Sequence, residues 1–241
     1  MATRNINRAT RAWLKRHVRR LLRRAGLRIE HIASGAPATL PIWDDDAVFT
    51  RLFEQLIGYT LVDKVRCFML YQCAKNVAQI AGDIAEIGVF RGGTARLLAT
   101  TSAPAGKTVH LFDTFAGMPS VDSKADLHQA GDFANTSIES VQAYLHDCSN
   151  VRLYKGFFPS TTQPIEQKTF ALAHIDVDIY TSVLSCCTFF YPRMAHGGMM
   201  VFDDYGFLSC PGAKKAVDEF FVDKPEAPIY LPTGQCLVIH L

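Results

Sequence analysis

The sequence predicts an α/β fold: a mostly parallel, doubly wound sheet flanked by helices, with a helical extension at the N-terminus. Three observations predict it. From residue 83 onward, short apolar runs of β-type residues alternate with runs of helical period. Acidic residues and glycines gather where the apolar runs stop, which is where open α/β sheets bind ligands. The chain of 241 residues, 49% of them hydrophobic, is long enough for one full core.

The first 28 residues carry ten Lys or Arg and no acid, which leaves 15 basic against 23 acidic residues in the remainder. Ile6, Trp13, Leu14, Val18, Leu21 and Leu22 fall at helical spacing among those cations. The spacing predicts a basic amphipathic helix over residues 1–33. Such a helix can lie in an anionic membrane interface, dock on an acidic partner or sibling subunit, or act as an organelle transit peptide. Nucleic-acid binding is disfavoured, because neither a stacking pattern nor a reader motif accompanies the charge. Residues 34–46, with "SGAPATLP", read as a linker, and 47–241 as the catalytic domain.

Within that domain helices are expected near 47–57, 62–80, 93–102, 137–147, 180–194 and 212–222. Strands are expected near 83–89, 108–113, 151–155, 171–177, 198–203 and 236–240. No apolar run reaches the roughly 18–20 residues of a membrane span, and a secretory h-region is absent. The seven cysteines are odd in number and lack metal or disulfide spacing, so they read as buried thiols in a reducing compartment. The expectation is a cytoplasmic protein and a homo-oligomer, for which residues 1–28 offer a peripheral contact with the inner membrane surface.

The first strand runs into "AEIGVFRGGTA", where Gly88, Gly92 and Gly93 make a strand-to-helix turn. The spacing G-x-x-x-G-G is not the dinucleotide fingerprint G-x-G-x-x-G, which disfavours a nicotinamide or flavin cofactor. Glu86 beside that turn would repel a pyrophosphate and suits a cofactor with cationic amino or sulfonium groups. Asp113 ends the second strand, where an acid commonly accepts hydrogen bonds from ribose hydroxyls. The long loop 114–137 is a candidate substrate lid, with Gly131, Asp132 and Phe133 as its contact points.

"HIDVDIY" and "VFDDYG" place Asp176, Asp178, Asp203 and Asp204 at two further strand ends. Crowded carboxylates repel one another and resist burial, so a cation must accompany them. Oxygen-only ligation suits Mg2+, with Asp176, Asp203 and Asp204 as the metal ligands. Asp176 and Asp178, two apart, would share one side while the chain stays extended. His174 reads either as a core histidine or as part of the same face.

These stretches, with "AEIGVFRGGTARLL", "LFDTFAGMP", "GDFANTS", "GGMMVFDDYG" and "PGAKKAVDEFF", resemble the macrocin-type O-methyltransferases over about residues 55–241. The resemblance implies a Rossmann-like domain of the class I S-adenosylmethionine-dependent methyltransferase type, with an antiparallel final strand. It implies that Glu86, Gly88 and Gly92 hold the amino acid end of S-adenosylmethionine and that Asp113 holds its ribose, with Thr114 a further cofactor-binding residue. Thr60 and Arg66 are implied as contacts in the segment closing over the cofactor, and Asp178 as the catalytic base. The implied activity is Mg2+-dependent methylation of a small-molecule vicinal diol, such as a sugar of a natural product or glycolipid. A catechol-type acceptor is the alternative within the methyltransferases, although Ile179, Tyr180 and Thr181 stand where such enzymes typically carry a lysine base. A non-catalytic membrane- or partner-binding protein on this fold is the alternative outside them.

Overall fold

The computed structural model describes residues 41–119, 121 and 125–241, so the expected basic helix lies outside the described residues. The compact unit begins at Ile42. The linker expected over 34–46 therefore ends early, in a helical turn α1 (Ile42–Asp45) that packs Trp43 on Phe68 and pairs Asp44 with Lys64 at 2.6 Å.

Helices α2 (Ala47–Leu56) and α3 (Lys64–Asn76) start at aspartates. Asp46 accepts from the amides of Val48 and Phe49, and Asp63 from those of Val65 and Arg66, supplying acceptors to first-turn donors that have no intrahelical partner. The expected helix 62–80 thus divides into α3 and a 3-10 turn at Val77–Gln79.

Strands β1 (Asp83–Ile87), β2 (Val109–Asp113), β3 (Val151–Lys155), β4 (Phe170–Ile175) and β5 (Met194–Phe202) pair in parallel, interleaved with helices α4 (Gly93–Ser102), α5 (Ile138–Tyr144) and α6 (Tyr180–Phe190). After α7 (Pro211–Phe221) come β6 (Ile229–Tyr230) and β7 (Cys236–Ile239), giving the order β3-β2-β1-β4-β5-β7-β6, with β7 antiparallel to both neighbours. The two-residue β6 has no counterpart in the sequence reading. β5 begins at Met194 rather than near 198, because α6 stops at Phe190 and a 3-10 turn containing Pro192 leads into the strand.

Alternate residues of the strands enter opposite cores. Ile84, Leu111 and Val201 join the cluster built with α2, α3 and α4, while Ala85, Phe112 and Phe202 join the one built with α6 and α7. Sheet faces covered on both sides explain why β1, β2 and β4 read as nearly unbroken apolar runs. The order reverses between β1 and β4, the topological switch point at which this architecture opens a crevice. Among the described residues no helix is long and apolar enough to cross a membrane.

Candidate active site

A cavity of about 310 Å3 opens at the carboxyl ends of β1, β2, β4 and β5. It falls within the range of small-ligand pockets, roughly 300–1,000 Å3. Thr60, Arg66, Gly88, Asp113, Thr114, Phe133, Asp176, Asp178, Asp203 and Asp204 all line it. Glu86, Gly92, Gly131 and Asp132 do not.

Gly88, at φ +88°, closes the floor: a Cβ built there would lie 1.8 Å from the carbonyl oxygen of Asp176. The amide of Asp176 donates to Ile87 at 2.9 Å, so only glycine lets β1 and β4 meet at this point. A Cβ on Gly93 would lie 2.7 Å from the Cβ of Thr60, and the Gly93 amide donates to Tyr59. This contact brings Thr60, Leu61 and Val62 to the cavity wall. Gly92 serves the turn itself, at φ +91° against Val141 and Tyr144.

Asp113 is fixed by three backbone amides. Val89 and Phe90 donate to Oδ2 at 2.7 and 2.9 Å, and Phe115 donates to Oδ1 at 2.7 Å. Its carboxylate ties the glycine turn to the end of β2 and still has lone-pair capacity for a ligand. The Thr114 hydroxyl donates to Gly117 at 2.6 Å, tightening the turn that follows.

The acids beyond β4 and β5 separate into two groups. Oxygens of Asp176, Asp203 and Asp204 lie within 4.8 Å of one another, as expected for a shared ligand. Asp203 and Asp204 achieve this because β5 stops at Phe202 and the chain turns. Asp178 does not share that point. The chain leaves the extended conformation at Ile175, Asp178 sits at φ +58°, and its Oδ1 meets Cys210 and His128 instead. The period-2 expectation for Asp176 and Asp178 fails for that reason, although both reach the cavity.

The electrostatics mark the triad as short of positive charge. Burial first, then the neighbouring carboxylates, hold Asp176 and Asp204 well above the usual carboxylate range. Burial also pushes Asp203 up, but His174, Arg66 and Gln235 outweigh it and hold that acid low. The Arg66 guanidinium donates to Asp203 Oδ2, pairs with Asp63 at 2.9 Å and lies 4.7 Å over the Phe207 ring. Gln235 donates to Asp203 Oδ1 at 2.8 Å. Burial raises Asp178, partly countered by His128.

Glu86 behaves differently from the expectation. It is fully buried, and its Oε1 sits 2.9 Å from His174 Nδ1, while Oε2 and His174 Nε2 find no hydrogen-bond partner among the described residues. His174 faces Asp203 at 3.7 Å, too long for a hydrogen bond but close enough for an ion pair. Burial pushes the imidazole down, yet the two acids prevail and lift its pKa to about 10. Glu86 therefore underlies the carboxylate triad through His174 rather than touching the cavity.

The loop after β2 is anchored by residues the sequence did not single out. Asp126, buried, accepts from the amide of Tyr180 at the start of α6. The Phe133 ring meets Phe90 edge-on at 6.4 Å, and Asp132 accepts from Gln129 and faces His128. Of the three expected lid contacts only Phe133 lines the cavity, beside Met118, Pro119 and His128 of the same loop, while Asp132 stands one step behind through His128. No motif announces His128 or Gln235. Asp63, which the helix expected over 62–80 would enclose, is an N-cap residue type that marks the helix start.

The model of the macrocin O-methyltransferase (TylF) family matches residues 52–229. The chain is 32% identical over 181 residues, 68% of each chain, to demethyldecarbamoylnovobiocin O-methyltransferase of Streptomyces niveus. It is 28% identical over 173 residues to the 8-demethyl-8-(2,3-dimethoxy-alpha-L-rhamnosyl)-tetracenomycin-C 4'-O-methyltransferase of Streptomyces olivaceus, covering 65% of this chain and 66% of that one. Among solved structures, the O-methyltransferase NovP superposes with a TM-score of 0.66 at 28% identity, covering 76% of this chain and 82% of that one.

Proposed function

The chain belongs to the macrocin O-methyltransferase family, and we propose that it transfers the methyl group of S-adenosylmethionine to one hydroxyl of a vicinal diol on a sugar, with Mg2+ at Asp176, Asp203 and Asp204. The observation that carries this reading is the convergence of those three acids beside a cavity floored by Gly88 and walled by Asp113. The relative whose name includes a rhamnosyl 4'-O-methylation supports a sugar acceptor.

The residues fit both groups. Three oxygen donors without a cysteine among them suit a hard cation, which would offset the burial and mutual repulsion that raise Asp176 and Asp204. The crevice at the switch point, with a glycine turn on one side and a strand-end aspartate on the other, suits a ribose-bearing cofactor. When bound, Mg2+ supplies the charge that lowers the pKa of a coordinated hydroxyl, and S-adenosylmethionine supplies the electrophilic methyl.

The chain's own residues do the rest. Asp113, held rigid by its three amides, accepts hydrogen bonds from ribose hydroxyls. Thr60 and Val62 close one side, and Phe133 with Phe90 shields the other from water. Asp178 takes the proton of the acceptor hydroxyl. Its Oδ1 is engaged by Cys210 at 3.4 Å, while among the described residues Oδ2 has no hydrogen-bond partner. Burial raises its proton affinity, which suits a base that must hold a proton through the transfer. Orientation of the two reactants contributes the larger part of the rate.

The test is methyl transfer from labelled S-adenosylmethionine to a panel of glycosides with and without adjacent free hydroxyls, in Mg2+ and in chelator. The proposal predicts product only with an adjacent pair and only with Mg2+. Transfer that is indifferent to chelator, or that occurs equally on isolated hydroxyls, would contradict it.

A further inference from the structure

Beside the carboxylate triad lies a second cluster of a different chemical kind. His128 comes from the loop after β2, Asp178 from the turn after β4, and Cys210 from the residue preceding α7. Cys210 Sγ is 3.5 Å from His128 Nε2 and 3.4 Å from Asp178 Oδ1, and the last two atoms are 3.6 Å apart. The three donor atoms thus form a nearly equilateral triangle of one sulfur, one nitrogen and one oxygen.

Such a triangle has the size of one face of a zinc tetrahedron. Bonds of about 2.3 Å to sulfur and about 2.0–2.2 Å to nitrogen and oxygen, at tetrahedral angles, give ligand–ligand edges of roughly 3.4–3.6 Å. The observed edges need almost no movement of the side chains. The surroundings fit as well. His128 Nδ1 faces Asp132 Oδ2 at 3.3 Å, the carboxylate–histidine pairing that fixes a metal-binding imidazole with its proton on the outer nitrogen. Asp178 is held in position by its left-handed backbone and by its amide, which donates to Asp204 Oδ2 at 3.1 Å. One thiolate and one carboxylate would neutralise a divalent ion in a pocket where Cys210 is only 4% exposed.

We propose that His128, Asp178 and Cys210 form a site for a borderline-soft divalent cation of the zinc class, distinct from the hard-cation triad and completed by a fourth, exchangeable ligand. Binding replaces the thiol proton of Cys210, which leaves to solvent. It also links the loop after β2 to the turn after β4 and to the start of α7, because each contributes one ligand. If Asp178 is the base, occupation of this site takes it out of the reaction; that consequence rests on the function proposed above, but the existence of the site does not.

Co2+ is the probe, because a thiolate ligand gives it a charge-transfer band in the near ultraviolet and tetrahedral ligation gives it strong visible bands. It is titrated into the full chain with Mg2+ in large excess, so that the triad is not the site being read. The expected result is one equivalent of Co2+ with both signatures, bleached by one equivalent of Zn2+. Cys210→Ser should abolish the charge-transfer band, and His128→Asn should weaken binding about tenfold or more, within the range typical for metal-site residues. Thermal melts of both variants in the absence of Co2+ identify any loss of fold, and either variant alone suffices. No charge-transfer band in the folded wild type would overturn the proposal, and so would a band that survives in folded Cys210→Ser. Binding of S-adenosylmethionine, measured on the same samples, reports separately on the methyltransferase reading.

Discussion

Gly88→Ala tests how the fold presents Asp176. The added Cβ would start 1.8 Å from the Asp176 carbonyl oxygen and 2.8 Å from its carbon, both backbone atoms that no rotamer change can move aside. Relief requires β1 and β4 to part by more than an ångström, beyond the reach of the 2.9 Å hydrogen bond from Asp176 to Ile87. Losing that bond costs about 1 kcal/mol. A left-handed φ of +88° on a residue with a side chain adds about 1–2 kcal/mol. The total is about 2–3 kcal/mol even before residual overlap. For a domain of this size each kcal/mol lowers Tm by about 2–4 °C, so a fall of roughly 4–12 °C is expected. Circular dichroism melts measure it, and Mn2+ titration of the folded variant should show weakened binding, since Asp176 must shift with its carbonyl. A Tm within about 2 °C of wild type, a shift smaller than 1 kcal/mol would cause, would refute the claim that this contact is closed to any side chain.

Other perturbations separate the remaining parts. Arg66→Met leaves Asp203, fully buried, without its guanidinium; a loss of about 3–5 kcal/mol in chelator, partly restored by Mg2+, is expected in urea melts, and no Mg2+ rescue would count against Asp203 as a ligand. Gly93→Ala should push the backbone at Tyr59 and Thr60 outward, drawing Thr60, Leu61 and Val62 off the cavity wall, and weaken S-adenosylhomocysteine at least about tenfold by calorimetry, the effect of about 1.4 kcal/mol; unchanged affinity would show that this segment does not close over the ligand. For pH, burial holds His110 below its ordinary value even though Asp83 opposes the shift. The unfolded chain, with histidine near about 6.5, therefore takes up the proton first, and stability falls as pH drops below that value. Melts between about pH 8 and about pH 5.5 should show a steeper decline for wild type than for His110→Gln; parallel curves would remove His110 from the account.

Much of this architecture was legible because strand-end chemistry is local. Asp113, Asp176, Asp203 and Asp204 each follow an apolar run, and a parallel sheet brings those run ends to one edge whatever the details of packing. What was not legible depended on departures from regular geometry. Nothing in "IDVDIY" shows that Asp178 adopts a left-handed backbone, so the two-residue period assigned it to the wrong companions. Glu86 was read from its nearness to the glycine turn; only the register of β1 against β4, which places Glu86 beside His174, shows that it faces a buried imidazole. The role of His128 requires knowing where a long loop docks, and two-residue β6 is too short to carry a period.

Whether the crevice beside Asp113 holds S-adenosylmethionine is read by calorimetric titration of that ligand into the full chain, wild type and Asp113→Ala, with Mg2+ present and absent. Saturable one-site binding to the wild type is expected, abolished by the substitution while the protein stays folded. Absence of binding to folded wild type under both conditions, or equal binding to Asp113→Ala, would contradict it.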